Sequence, residues 1–135
     1  MGRGLGAVAL VVAGVVHLQQ YFGPYREIPT IGVLFLVNFA AAVLIGLTLL
    51  TPIEHLTGRW AGAAIAIVTA AGIALAAGSL VMLSISERTP LFGFQEPGYD
   101  PAAIELTRRS EVAAVVLLGA SLIARFTGTI PKHRW

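Results

Sequence analysis

The stretch Ala61–Leu83 carries no charged residue and is about as long as a bilayer is thick. Within it Gly62, Ala66, Ala70, Ala74 and Gly78 recur every four residues. That spacing places small side chains along one side of a helix, where a neighbouring backbone can approach closely in lipid. The segment therefore reads as the packing helix of a small membrane bundle, with a ridge that also suits a partner helix outside the chain.

The rest of the chain repeats the theme. Of 135 residues, 12% are charged and mean hydropathy is +0.81; a soluble domain has about 25% charged residues. Leu5–Phe22, Ile31–Leu50 and Val112–Ala124 are the other apolar runs. The first follows Arg3 and could serve as a signal-peptide core, but no small-x-small cleavage site follows it. The expected fold is an all-α, four-helix transmembrane bundle, up-down-up-down, forming one domain over residues 1–135. The spans run over 5–22, 31–50, 60–83 and 110–126.

The connectors carry the punctuation. Pro24 and Pro29 bracket Tyr25, Arg26, Glu27 and Ile28, and Thr51–Pro52 stops the second helix. Residues 84–100 form the longest irregular segment, with Phe92, Phe94 and Tyr99 among prolines and glycines. Leu91–Phe94 echoes Tyr21–Pro24 and hints at duplicated hairpins. Asp100–Pro101 reads as an N-cap followed by proline at the first helical position, so the last helix begins near 101. Thr127–Trp135 is a polar tail with Pro131, Lys132, His133 and Arg134.

Four spans place both termini on one side, with Arg3, Arg59, Arg125, Lys132 and Arg134; the other side has Arg26, Arg88, Arg108 and Arg109. Glu105–Arg109 and Arg108–Glu111 have helical pair spacing. Setting those cations aside, the positive-inside rule favours cytoplasmic termini in a multi-pass cell-membrane protein.

The candidate site comes from depth. At about 1.5 Å per residue, His17, Asn38 and Glu111 fall at overlapping levels near the outer end. Ionisable groups at membrane depth usually face the protein interior. Together with Tyr21, Tyr25, Arg26 and Arg108 they are expected to line a small polar pocket under the aromatic 84–100 loop. The plainer alternative has His17 bonded to Asn38 or a backbone carbonyl, Glu111 paired with Arg108, and the aromatic connector as an interfacial belt.

The excluded chemistry is broader. With no cysteine there is no disulfide, thiol redox or thiolate metal site. His55 and His133 lie on the opposite side from His17, which disfavours a bis-histidine haem; His17 with Glu111 is a weak metal pair. No catalytic residue, metal or cofactor is expected. A net charge of +2 without a basic stripe gives no support to nucleic-acid binding.

His17-Leu18, Tyr25-Arg26-Glu27-Ile28-Pro29-Thr30-Ile31-Gly32 and Leu34-Phe35-Leu36-Val37-Asn38 resemble a pattern in a family of uncharacterised small four-helix membrane proteins of high-GC Gram-positive bacteria. The likeness covers the first two spans and their connector. It implies that His17, Tyr25, Arg26 and Asn38 belong together, and it supplies no activity. The leading expectation is a non-enzymatic accessory or stabilising subunit of a larger membrane assembly, with a membrane-protein partner or a homo-oligomer as company in the bilayer. The alternative is a lipid- or quinone-binding protein using the outward-facing pocket. A membrane enzyme and a coupled transporter rank below both.

Overall fold

The computed structural model of the protein describes residues 1–128; Pro131, Lys132, His133 and Arg134 of the tail lie outside the described residues. The architecture is an all-α bundle. Helix α1 spans Gly2–Gln20 and widens into a π-helical turn at Tyr21–Tyr25. Helix α2 spans Ile31–Leu50, α3 is the single turn Glu54–Thr57 followed by a 3-10 turn at Gly58–Trp60, α4 spans Ala61–Ser86, and α5 spans Pro101–Thr127. Among the described residues four helical stretches are long and apolar enough to cross a membrane: Gly2–Tyr25, Ile31–Leu50, Gly58–Ser86 and Pro101–Thr127.

The boundaries follow local chemistry. The Asp100 carboxylate accepts a 3.0 Å hydrogen bond from the Ala103 N–H, and Pro101 fills the first helical position. Helix α4 runs on to Ser86, past the sequence expectation of Leu83. Leu91–Phe94 closes a two-residue turn, with Leu91 and Phe94 exchanging backbone bonds of 2.7 and 3.0 Å and positive φ at Phe92 and Gly93. Tyr21–Pro24 instead lies in a wide helical turn broken at Gly23. The two segments have different backbones, so the structure gives the hairpin echo no counterpart.

Helix α1 packs along α2 and α5; α4 packs on α5 and more sparsely on α2, and α1 and α4 face each other across the diagonal. Gly14 meets Ala42 and Phe39, while Gly46 meets Ala7 and Val11. Rising positions on α1 therefore meet falling positions on α2. One core layer takes Leu10, Ala42, Ala76 and Ala114, one from each long helix, and a second takes Ala7, Leu49 and Leu118.

Close approach is concentrated on α1 and its partners. A Cβ at Gly14 would stand 2.7 Å from the Ala42 Cβ, and one at Gly6 would stand 2.8 Å from Leu118 side-chain carbons. This corrects the role given to the α4 ridge. Gly62, Ala70, Ala74 and Gly78 are exposed and Ala66 is half-buried, whereas Ile65, Thr69, Gly72 and Ala76 are buried. A four-residue repeat outruns the helical turn by about 40° per step, so five such residues sweep about 160°. The alternating three- and four-residue steps of 65, 69, 72 and 76 stay on one face.

Candidate functional site

Above the core layers, towards the end that holds the 21–30 and 87–100 connectors, the packing opens. His17 projects from α1 into this region. Its Nδ1–H donates to the Ala13 carbonyl oxygen at 2.8 Å. A carbonyl can only accept, so Nδ1 carries hydrogen and Nε2 is the free position. The Ser79 hydroxyl of α4 lies 3.4 Å from Nε2, and a Glu111 carboxylate oxygen of α5 lies 4.0 Å away. The Phe35 ring of α2 meets the imidazole edge-on, with centroids 4.9 Å apart. Three helices, α2, α4 and α5, thus each contribute one side chain around an imidazole carried by the fourth.

Glu111 is 1% exposed; its carboxyl group faces the Ser79 hydroxyl and makes no close hydrogen bond among the described residues. It continues the buried stripe Ala103, Thr107, Ala114 and Leu118 of α5. Arg108 sits beside that stripe and turns outward to Glu87 at 2.6 Å. The sequence expectation of an Arg108–Glu111 pair is therefore corrected: one helical step separates a flank position from the core-facing one. The companion expectation, Glu105 with Arg109, is met at 2.6 Å.

A half-open cavity of about 270 Å³ extends from His17 towards the connectors. Its inner end carries His17, Ser79 and Asn38; Gln20 lines it one turn nearer the connectors, bonded to Asp100, and Glu111 stands behind His17 rather than on the wall. Most of the remaining wall is apolar, including Leu34, Phe35, Leu75, Met82 and Ile104. The lid is Leu91, Phe94 and Glu96 with Tyr25. The buried Tyr25 hydroxyl donates to a Glu96 oxygen at 2.8 Å, and its ring lies against Phe35 and near Phe94 and Tyr99. Between α2 and α4 the wall is incomplete: Val37, Ala74 and Gly78 line the cavity and are also exposed.

Of the expected pocket residues, His17, Tyr25 and Asn38 line the cavity, and Glu111 adjoins it. Tyr21, Arg26 and Arg108 do not line it. Tyr21 stacks edge-on against Phe22, and Arg26 is an exposed partner of Glu27 at 3.1 Å. The reason is the π-turn, which carries Tyr25 back over the bundle while Arg26 leaves it. His17 bonds to a backbone carbonyl and not to Asn38. Ser79 and Gln20 were not singled out from sequence. Extending the α4 stripe by three from Ala76 lands on Ser79, and extending the α1 stripe by three from His17 lands on Gln20.

No group of three or more metal-ligating side chains occurs among the described residues. The chemistry on offer is hydrogen bonding to the head of an elongated apolar molecule whose body contacts the aliphatic and aromatic wall. No protein-family model, curated protein or solved structure matches the chain.

Proposed function

We propose that this is a multi-pass cell-membrane protein, crossing four times up-down-up-down with cytoplasmic termini, that holds one amphiphile of the lipid or isoprenoid-quinone class. The observation that carries the reading is the half-open cavity, apolar along its wall and polar at its inner end around His17. Ligand sites are concave, mostly apolar and marked by a few placed polar groups. The bilayer placement rests on helices apolar on their outer faces as well. Val33, Leu44 and Leu47 of α2, Ile67 and Val81 of α4, and Val116 and Ile123 of α5 are all exposed.

The test is native mass spectrometry of protein released from mild detergent. Bound mass in the wild type, lost in His17→Ala with helicity unchanged, is the expected result. Retention of the same ligand by His17→Ala removes His17 from the site. Gly78→Leu supplies a second test, because a Cβ there meets nothing within 4 Å and Gly78 borders the opening between α2 and α4. It should lower ligand occupancy while the helix, freed of a glycine, gains about 0.5–1 kcal/mol.

A second reading, an accessory subunit of a larger membrane assembly, is favoured by one observation. The small-residue ridge of α4 lies on the outside of the bundle, where Gly62, Ala70, Ala74 and Gly78 are exposed. A strictly monomeric protein that co-purifies with no polypeptide would count against it.

A further inference from the structure

We propose that the cavity selects an amphiphile whose head donates hydrogen bonds, an amine or an alcohol, over one whose head only accepts them. The inference rests on the reading of the cavity as a ligand site and narrows it.

The argument is a census of unmet hydrogen-bonding capacity around the cavity. Gln20 is 8% exposed; its amide N–H donates to Asp100 at 3.0 Å, and its oxygen Oε1 has no partner. His17 spends its Nδ1–H on Ala13, which leaves Nε2 as an acceptor met only by a hydroxyl at 3.4 Å. That distance is long for a hydrogen bond from oxygen. The Glu111 carboxyl faces only the shared Ser79 hydroxyl and makes no close hydrogen bond, and in either protonation state at least one oxygen remains an acceptor. A buried acceptor left unmet costs free energy. A donating head at the inner end would meet Nε2, the acceptor that faces the cavity.

Charge points the same way. Among the described residues no lysine or arginine lines the cavity, while Glu96 does and Glu111 adjoins it. A carboxylate or phosphate head would pass Glu96 at the lid with no cation inside to receive it. An oxidised quinone head presents carbonyl acceptors to a wall already short of donors.

Three probes of one chain length separate these cases: decylamine, decanol and decanoate, each titrated onto the full-length protein in lipid nanodiscs and counted by native mass spectrometry. The expected result is retention of decylamine and decanol, with decanoate at least tenfold weaker. Glu111→Gln should leave decanol unchanged and lower decylamine about tenfold. Decanoate retained within threefold of decanol overturns the donor rule and leaves the cavity reading standing. Retention of none of the three, or equal retention by Gly78→Leu, overturns the cavity reading along with it.

Discussion

Glu111 occupies a place that folding alone does not favour. A carboxyl group with no close hydrogen bond and 1% exposure carries a desolvation cost of about 1–3 kcal/mol. Glu111→Leu should therefore raise the unfolding midpoint in detergent, by the equivalent of about 1–3 kcal/mol, and should abolish retention of decylamine. A variant that loses stability instead would show that the carboxyl group holds the four-helix junction together. Such opposed effects on stability and binding are what a group retained for function produces. At this scale the sequence was informative about depth and poor about direction. Helical rise brought His17 and Glu111 to one level, and they lie 4.0 Å apart. Rise alone does not say which flank of a helix a residue faces. Arg108 was therefore paired with the wrong acid, and Ser79, a short polar side chain outside any motif, was passed over.

Helix by helix, the glycines divide into those that permit contact and those that border space. A Cβ at Gly32 would stand 2.9 and 3.1 Å from the Tyr25 and Arg26 carbonyl oxygens, which are backbone and cannot swing aside. Gly32→Ala should cost about 1–3 kcal/mol, read as a lowered thermal midpoint, because the start of α2 must move away from the π-turn. A neutral result would mean that the turn relaxes freely. Tyr25→Phe addresses the lid: it removes the hydroxyl bonded to Glu96 and keeps the ring against Phe35. Losing that bond costs about 1 kcal/mol, and bound amphiphile should exchange several-fold faster in a pulse-chase by native mass spectrometry. An unchanged rate would mean that exchange bypasses the lid. The elements themselves were legible where chemistry marks their ends. Asp100–Pro101 announced the start of α5, and the Pro24–Pro29 connector and Thr51–Pro52 bounded α2. The four-residue helix α3 was not legible, since one turn contains too little periodicity to stand out. The π-turn was hidden because Gly23–Pro24 reads as a stop, and the chain widens there instead.

Across the whole molecule, the two ends differ in what holds them. The connector end adds aromatic rings to its ion pairs, whereas at the terminal end Arg3 bonds Glu54 at 2.7 Å and Arg125 donates to the Gly62 carbonyl at 3.2 Å. The hydrogen bond from Arg3 is the main cause that holds the Glu54 carboxyl below its ordinary range. A carboxylate with a lowered folded value contributes above the ordinary range and loses that contribution as acid carries the pH down through the lowered value. Unfolding midpoints followed from about pH 7 to about pH 3 should show a small acid-side decline in the wild type that Arg3→Ala lacks. The effect is small because the pair is exposed; equal declines would mean that the pair is idle. The bundle as a whole was legible, since hydropathy needs only length and composition. The arrangement of faces was not, because a ridge drawn every four residues looks like a contact surface in one dimension and winds away from the core in three. One consequence follows from the incomplete wall between α2 and α4, where Val37, Ala74 and Gly78 border the cavity and the outside at once. With that seam in the bilayer, as proposed, the cavity opens onto the lipid beside α2 and α4 as well as beneath the lid. For a guest that stays in the membrane, occupancy then tracks its mole fraction within the lipid sheet: lipid of another kind dilutes it, and buffer does not.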